Sequence, residues 1–202
     1  MILIGITGVV GSGKTTVSDM LRNKGIEVID LDKAAKEVAE REDVKKDIEK
    51  TFGSYYLTEK NIAIRRISEL VFKDKEKLKK LEDIIHPKVR EEMYKRIRES
   101  EEKGAKAVVI DAPLLYETGL YKKVKKVVVV STNATKTKKR LKIRGMDEDD
   151  IDKRTAIQMP LKEKEAMADH VIFNNGTIEE LKKEVDGLLN RIKAWEDELY
   201  AS

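Results

Sequence analysis

The stretch that most constrains this chain is Gly8-Val9-Val10-Gly11-Ser12-Gly13-Lys14-Thr15, which follows the apolar run Ile2 to Thr7 and precedes Thr16-Val17-Ser18-Asp19-Met20-Leu21. It is a GxxxxGK[ST] pattern with a predicted strand before it and a predicted helix after it. The glycines let successive backbone N–H groups turn toward one centre, at φ values that a side chain forbids, and the helix behind them adds its positive N-terminal end. An anion belongs there. Gly11, Ser12 and Gly13 would line the cradle, and Lys14 would reach the outer phosphates of a nucleoside triphosphate as a point charge. The Thr15 hydroxyl would take one octahedral position on Mg²⁺, and Thr16 would add a further phosphate contact.

The rest of the sequence narrows what such a loop can serve. At 202 residues the chain is one domain, or one domain with an inserted lobe, long enough to bury a sizeable core. It has no cysteine, which excludes disulfides, thiolate zinc sites and cysteine nucleophiles. No apolar run approaches the length of a membrane span, and the N-terminus lacks a signal-peptide pattern, so a soluble, cytoplasmic protein is expected. Lys and Arg number 42 against 38 Asp and Glu, a net charge of +4. Both signs are interspersed, as in Lys79-Lys80-Leu81-Glu82-Asp83, which is the pattern of ion-paired helix faces rather than of a nucleic-acid-binding stripe.

Taken in order, the chain alternates strand and helix signals. Gly25 ends the first helix, and residues 26–29 read as a short strand closing in Asp30-Leu31-Asp32. Carboxylates two apart on an extended segment lie on one side, so Asp30 and Asp32 can both face a cleft beyond the strand ends, where the phosphate loop also sits. Asp32 also suits the N-cap of a helix opening at Lys33, and both roles can hold. Residues 33–103 carry no strand signal. They divide into helical segments near 33–40, 43–51, 61–72, 75–85 and 88–102, with Phe52-Gly53 and His86-Pro87 as breaks. Within them Arg65-Arg66 is a pair that can meet an anion or stay solvated.

Ala107-Val108-Val109-Ile110 is an unbroken apolar run, as expected of a strand covered on both faces, and it ends in Asp111-Ala112-Pro113-Leu114-Leu115-Tyr116-Glu117. An acid at the end of a buried strand, in a chain with a phosphate loop, is a candidate for holding a Mg²⁺-bound water. Residues 127–130 and 170–173 give two more strands, and Thr132 or Asn133 can cap the helix between them. That helix carries Arg140 and Arg144 on one face and runs into Gly145-Met146 and the acidic Asp147-Glu148-Asp149-Asp150, before Arg154 and Gln158. These arginines either form a lid over phosphates or pair with the acidic cluster. A terminal apolar stripe from Ile178 to Leu199 predicts a helix docked on the sheet more than a coiled-coil seam. Five strands alternating with helices predict an α/β parallel sheet with helices on both faces.

A phosphate loop, a carboxylate beyond the next strand and an arginine helix together predict phosphoryl transfer to a small acceptor, with Asp32 orienting the acceptor hydroxyl and accepting its proton. Phosphorylation of a nucleoside, nucleotide or sugar acid fits these residues as well.

The blocks Val28-Ile29-Asp30-Leu31-Asp32, Val71-Phe72, Ile84-Ile85-His86-Pro87, Pro113-Leu114-Leu115-Tyr116-Glu117, Gln158 and Ala168-Asp169-His170-Val171-Ile172 with Asn174-Asn175-Gly176 resemble, in order, those of the dephospho-coenzyme A kinases. That resemblance implies ATP-dependent phosphorylation of the ribose 3′-hydroxyl of dephospho-coenzyme A, with ATP as donor and Mg²⁺ as metal. It implies a P-loop kinase-like core (1–32, 104–139 and 168–202), a helical substrate-binding insert (33–103) and a lid (140–167). It also implies that Asp32 is the catalytic base and that Arg140, Asn175 and Gly176 lie against ATP. His86, Pro113, Leu114, Leu115 and Glu117 would then line the acceptor cleft, with Arg65 as the nearest match to an arginine of the helical lobe. Oligomeric state is open. The family usually reads Asp-Ala-Asp where this chain has Asp30-Leu31-Asp32, and Ile64 stands where counting back from Val71-Phe72 would place the lobe arginine.

Overall fold

The computed structural model describes residues 1–58, 62–72, 74–143, 145, 151 and 155–201. It divides into two compact units, residues 1–29 with 100–202, and residues 30–99.

In the first unit, Ile2, Ile4 and Ile6 alternate along β1 (Ile2–Thr7), and the phosphate loop leads from it into α1 (Lys14–Asn23). The further strands are β2 (Glu27–Asp30), β3 (Ala107–Asp111), β4 (Lys126–Ser131) and β5 (His170–Phe173). They form a five-stranded parallel sheet in the order β2-β3-β1-β4-β5. Ile2 stands opposite Ala107, Ile6 opposite Val128, and Val129 opposite Val171. With β1 central, the loop that follows it emerges at the middle of the carboxyl edge, the position at which an open parallel sheet presents its ligand site. Between β4 and β5 the described residues include α6 (Ala134–Ile143), capped by Asn133 Oδ1 accepting from Lys136 N–H at 2.8 Å, and α7 (Leu161–Ala166). The last helix, α8 (Ile178–Ala201), buries Leu181, Val185, Leu188, Ile192 and Trp195 against Ile2, Ile4, Val17, Leu21 and Val130. Each such side chain contributes about 1.5–3 kcal/mol on burial, so the terminal stripe is spent inside this unit on the sheet rather than on a seam. Val108, Ile110, Val127 and Val129, which point the other way along their strands, are buried too, as the unbroken apolar runs require.

The second unit is helical: α2 (Leu31–Ala39), α3 (Glu42–Phe52), α4 (Ile64–Phe72) and most of α5 (Lys75–Glu102). Its core is Val38, Val44, Ile48, Ile67 and Val71, with Leu81, Ile84, Ile85 and Val89 packed against them. Asp43 accepts from Arg41 Nη2 at 3.0 Å and from Lys88 at 2.9 Å, linking the start of α3 to α5, and Arg96 joins Glu92 to Glu37 of α2.

Two local expectations are corrected. His86-Pro87 does not end a helix; α5 runs 28 residues through it. An interior proline costs about 3 kcal/mol, but the apolar stripe through Leu81, Ile85, Val89, Met93 and Ile97 continues on both sides, and its burial outweighs that cost. Nor does Asp32 cap a helix opening at Lys33. The helix opens at Leu31, its cap is Asp30, whose Oδ1 accepts from Lys33 N–H at 2.9 Å, and Asp32 stands in the first turn.

Candidate active site

The phosphate loop is held open for an anion. Gly11 and Gly13 have φ of 79° and 92°, and at Gly13 a side chain would also collide with the Asn174 amide. Gly13 caps α1 and makes no side-chain cap hydrogen bond, so the cap residue itself leaves the N-terminal end of that helix open. The Ser12 hydroxyl is buried and has no partner among the described residues. An uncapped helix end, a positive-φ cradle and an orphaned buried donor fit a phosphate group.

Lys14 hydrogen-bonds Asp111 Oδ1, and Ser18 donates to Asp111 Oδ2 at 2.6 Å. Asp111 closes β3 beside β1 and is 2% exposed, so the sheet itself brings these three residues together. Thr15, one position beyond Lys14, is exposed. A hard divalent cation bound with a nucleotide needs only one or two protein oxygens beside phosphates and waters, and Thr15 with Asp111 supplies that kind of set.

On the β4–β5 side, Arg140 reaches back from α6 to the Ser12 carbonyl at 3.3 Å and to Asn174 Oδ1 at 3.0 Å, while the Asn174 amide donates to Ser12 O at 2.7 Å. Asn175 Oδ1 accepts from Asn133 N–H at 2.8 Å. Next to these lies a cleft of about 380 Å³ whose walls include Gly13, Thr16, Arg140, Gly176 and Ile178. A larger cavity of about 630 Å³ opens at the other edge of the sheet, where β2 and β3 begin. Two of its four lysines, Lys24 and Lys103, stand just past the carboxyl ends of α1 and α5, where lysine is the ordinary complement of the helix dipole.

The segment after β3 is anchored from below. Leu115 is fully buried, and a Cβ on Gly5 would meet its side chain at 2.6 Å, so Leu115 serves as the segment's root in the core. Pro113 and Leu114 are partly exposed. The Glu117 carboxylate accepts from Met159 N–H at 2.7 Å and from Lys164 at 2.8 Å. Burial alone would raise its pKa, but these hydrogen bonds outweigh burial and hold it below the ordinary carboxylate value.

In the other unit Asp32 is exposed in the first turn of α2 and His86 is exposed on α5. The backbone of Arg65 lies in α4 and its side chain is outside the described residues; Arg66 is engaged with Tyr55, donating to its carbonyl at 3.0 Å and lying 4.7 Å from its ring centre. Arg144, residues 147–150 and Arg154 of the expected lid are also outside the described residues.

The dephospho-CoA kinase family model matches residues 2–180. The chain belongs to that family. It is 40% identical over 198 residues to the dephospho-CoA kinase of Bdellovibrio bacteriovorus, covering 97% of this chain and 96% of that one. It is also 40% identical over 184 residues to that of Aquifex aeolicus, covering 90% and 93%. Among solved structures, a Thermus thermophilus protein aligns with a TM-score of 0.83 at 32% identity, over 94% of this chain and 97% of that one. The dephospho-CoA kinase of Campylobacter jejuni aligns at 0.72 and 24% identity, over 94% and 96%, which speaks for the fold.

Within this family member, three site groups escaped the reading of the sequence: Ser18, Asn174 as the residue that touches the loop, and Lys164. Lys164 sits in Lys162-Glu163-Lys164-Glu165, a run that looks like any solvated helix face. No sequence signal separates it from its neighbours.

Proposed function

We propose that this chain transfers the γ-phosphoryl group of ATP to the ribose 3′-hydroxyl of dephospho-coenzyme A, giving coenzyme A and ADP. What carries the reading is the family match across residues 2–180 together with a phosphate loop whose lysine, serine and strand-end acid are assembled in one unit.

The loop amides and the N-terminus of α1 hold the phosphates, Lys14 turns from Asp111 to the transferring group, and Arg140 beside Ser12 adds a second positive charge. The adenosine end occupies the cleft beside Gly176 and Ile178. Thr15 and Asp111 would hold Mg²⁺, which when bound neutralises phosphate charge. Asp32 accepts the hydroxyl proton as the 3′-oxygen bonds to phosphorus and the bond to the ADP oxygen breaks. His86 and residues 113–117 border the acceptor, with Arg65 meeting its charge. Both substrates are soluble, so neither a membrane nor a nucleic acid is required, and the cytoplasm is the expected compartment.

The test is ATP consumption with Mg²⁺ and dephospho-coenzyme A, offered beside nucleosides, nucleotides and gluconate, with the product identified by mass. A dephospho-coenzyme A product one phosphoryl heavier, lost in Lys14→Ala, is expected; turnover on another acceptor alone rejects the assignment.

A further inference from the structure

Lys164 is wholly buried, yet it carries a charge. From α7 its ammonium reaches three oxygens on two other segments: Glu117 Oε1 at 2.8 Å, the Pro113 carbonyl at 2.9 Å and Thr7 Oγ1 at 3.5 Å. Three acceptors match its three protons. Thr7, at the end of β1, also donates to Pro113 O at 3.0 Å. Just before α7, Gln158 Oε1 accepts from Val10 N–H of the phosphate loop at 3.1 Å, and Met159 N–H donates to Glu117. Residues 158–164 thus clamp the end of β1, the loop after it and the segment after β3.

Stability does not explain this arrangement. Taking the Lys164 ammonium out of water is costly, and an apolar side chain of the same volume is often as stable or more so. What an apolar side chain lacks is direction. The clamped segment leaves the end of β3 and packs over β1, whereas the cleft beside Arg140 and Asn174 is lined by residues at and after the end of β5. If that cleft takes the donor, the acceptor approaches from the side of Pro113.

We infer that Lys164 is a positioning residue for phosphoryl transfer: by fixing Pro113 and Glu117 against Thr7 and the phosphate loop, it sets where the acceptor stands relative to the donor. The inference rests on the kinase reading above. Misplacement by about 1 Å is worth about 10²-fold in rate, which sets the size of the effect.

The experiment compares the parent, Lys164→Met and the charge-free double variant Lys164→Met/Glu117→Gln. Each substrate is varied in turn, and thermal melting and ATP binding are followed in parallel. The single variant leaves the Glu117 carboxylate without its cation and is expected to melt lower; the double variant restores the melting midpoint. Both are expected to lose about 10²-fold in kcat/KM for dephospho-coenzyme A with ATP affinity within about 2-fold of the parent. Recovery of kcat/KM along with stability in the double variant overturns the inference, as does an equal loss on the ATP side. Parent activity separates the two readings: turnover on a different acceptor moves the same comparison to that acceptor, and a parent with no acceptor turnover overturns both.

Discussion

The Lys14 ammonium and the Asp111 carboxylate form an ion pair at the carboxyl ends of adjacent strands, with Asp111 2% exposed and its second oxygen held by Ser18. In the proposed reaction Asp111 and the nucleotide phosphates therefore compete for the same lysine. Asp111→Asn weakens that competition and removes an acceptor for a metal-bound water. Metal-free ATP is expected to bind the variant at least as tightly as the parent, while the Mg²⁺ needed for half-maximal rate rises about 10- to 100-fold. Calorimetric ATP titrations with and without Mg²⁺, and a Mg²⁺ series of rates, check this. An unchanged Mg²⁺ dependence takes Asp111 out of the metal's surroundings.

Asp32 is exposed in the first turn of α2, two residues beyond the last residue of β2. Asp32→Asn keeps the shape and removes the proposed proton acceptor. Turnover should fall about 10²- to 10⁴-fold with ATP affinity retained, since removing a general base costs that much. Near-normal turnover would leave the residue no part in proton transfer.

Tyr116 is buried, its ring tilted 49° from that of Tyr121 with centres 5.3 Å apart, and its hydroxyl has no partner among the described residues. Burial, then the charges of Asp169 and Tyr121, push its pKa up to about 12, so it stays a neutral, unpaired phenol. An unsatisfied buried polar group costs about 1–3 kcal/mol, and Tyr116→Phe removes it with the ring in place. Urea unfolding should show the variant more stable by about that amount. A less stable variant means the hydroxyl has a partner after all.

His170 opens β5 with a buried Nε2 that has no partner among the described residues. Burial lowers its pKa below the ordinary 6.5; Glu184 opposes the shift and Arg191 adds to it. The unfolded chain therefore takes up the proton before the folded one does. Its contribution to stability is full above about pH 6.5, is lost as pH falls below that value, and levels off past the folded-state pKa. Melting midpoints from about pH 8 to about pH 5 should fall more steeply for the parent than for His170→Val. Parallel slopes sink the assignment.

Local patterns carried much of this molecule. The phosphate loop, the five strand positions within one or two residues, the Asn133 cap and the docked stripe of α8 all depend on spacing and turn chemistry within a few residues, and these are legible in one dimension. The break expected at Pro87 shows the limit of that logic, because a local helix penalty was outweighed by packing against Val44, Ile48 and Ile67 of other helices. The cap of α2 is Asp30 and not Asp32, a shift of two residues that propensity does not resolve.

By itself the sequence determined that a strand, a phosphate loop and a helix would stand together, because glycine placement and a helix N-terminus act over a dozen residues. The tertiary structure alone decided which charges meet. Lys14 found Asp111, 97 positions away, because β1 and β3 are neighbours in the sheet. Lys164 became a buried clamp rather than a solvated lysine because the sheet order delivered Thr7, Pro113 and Glu117 to one spot. A charged side chain reads the same in sequence whether its partner is water or a carboxylate; only the assembled sheet removes the water.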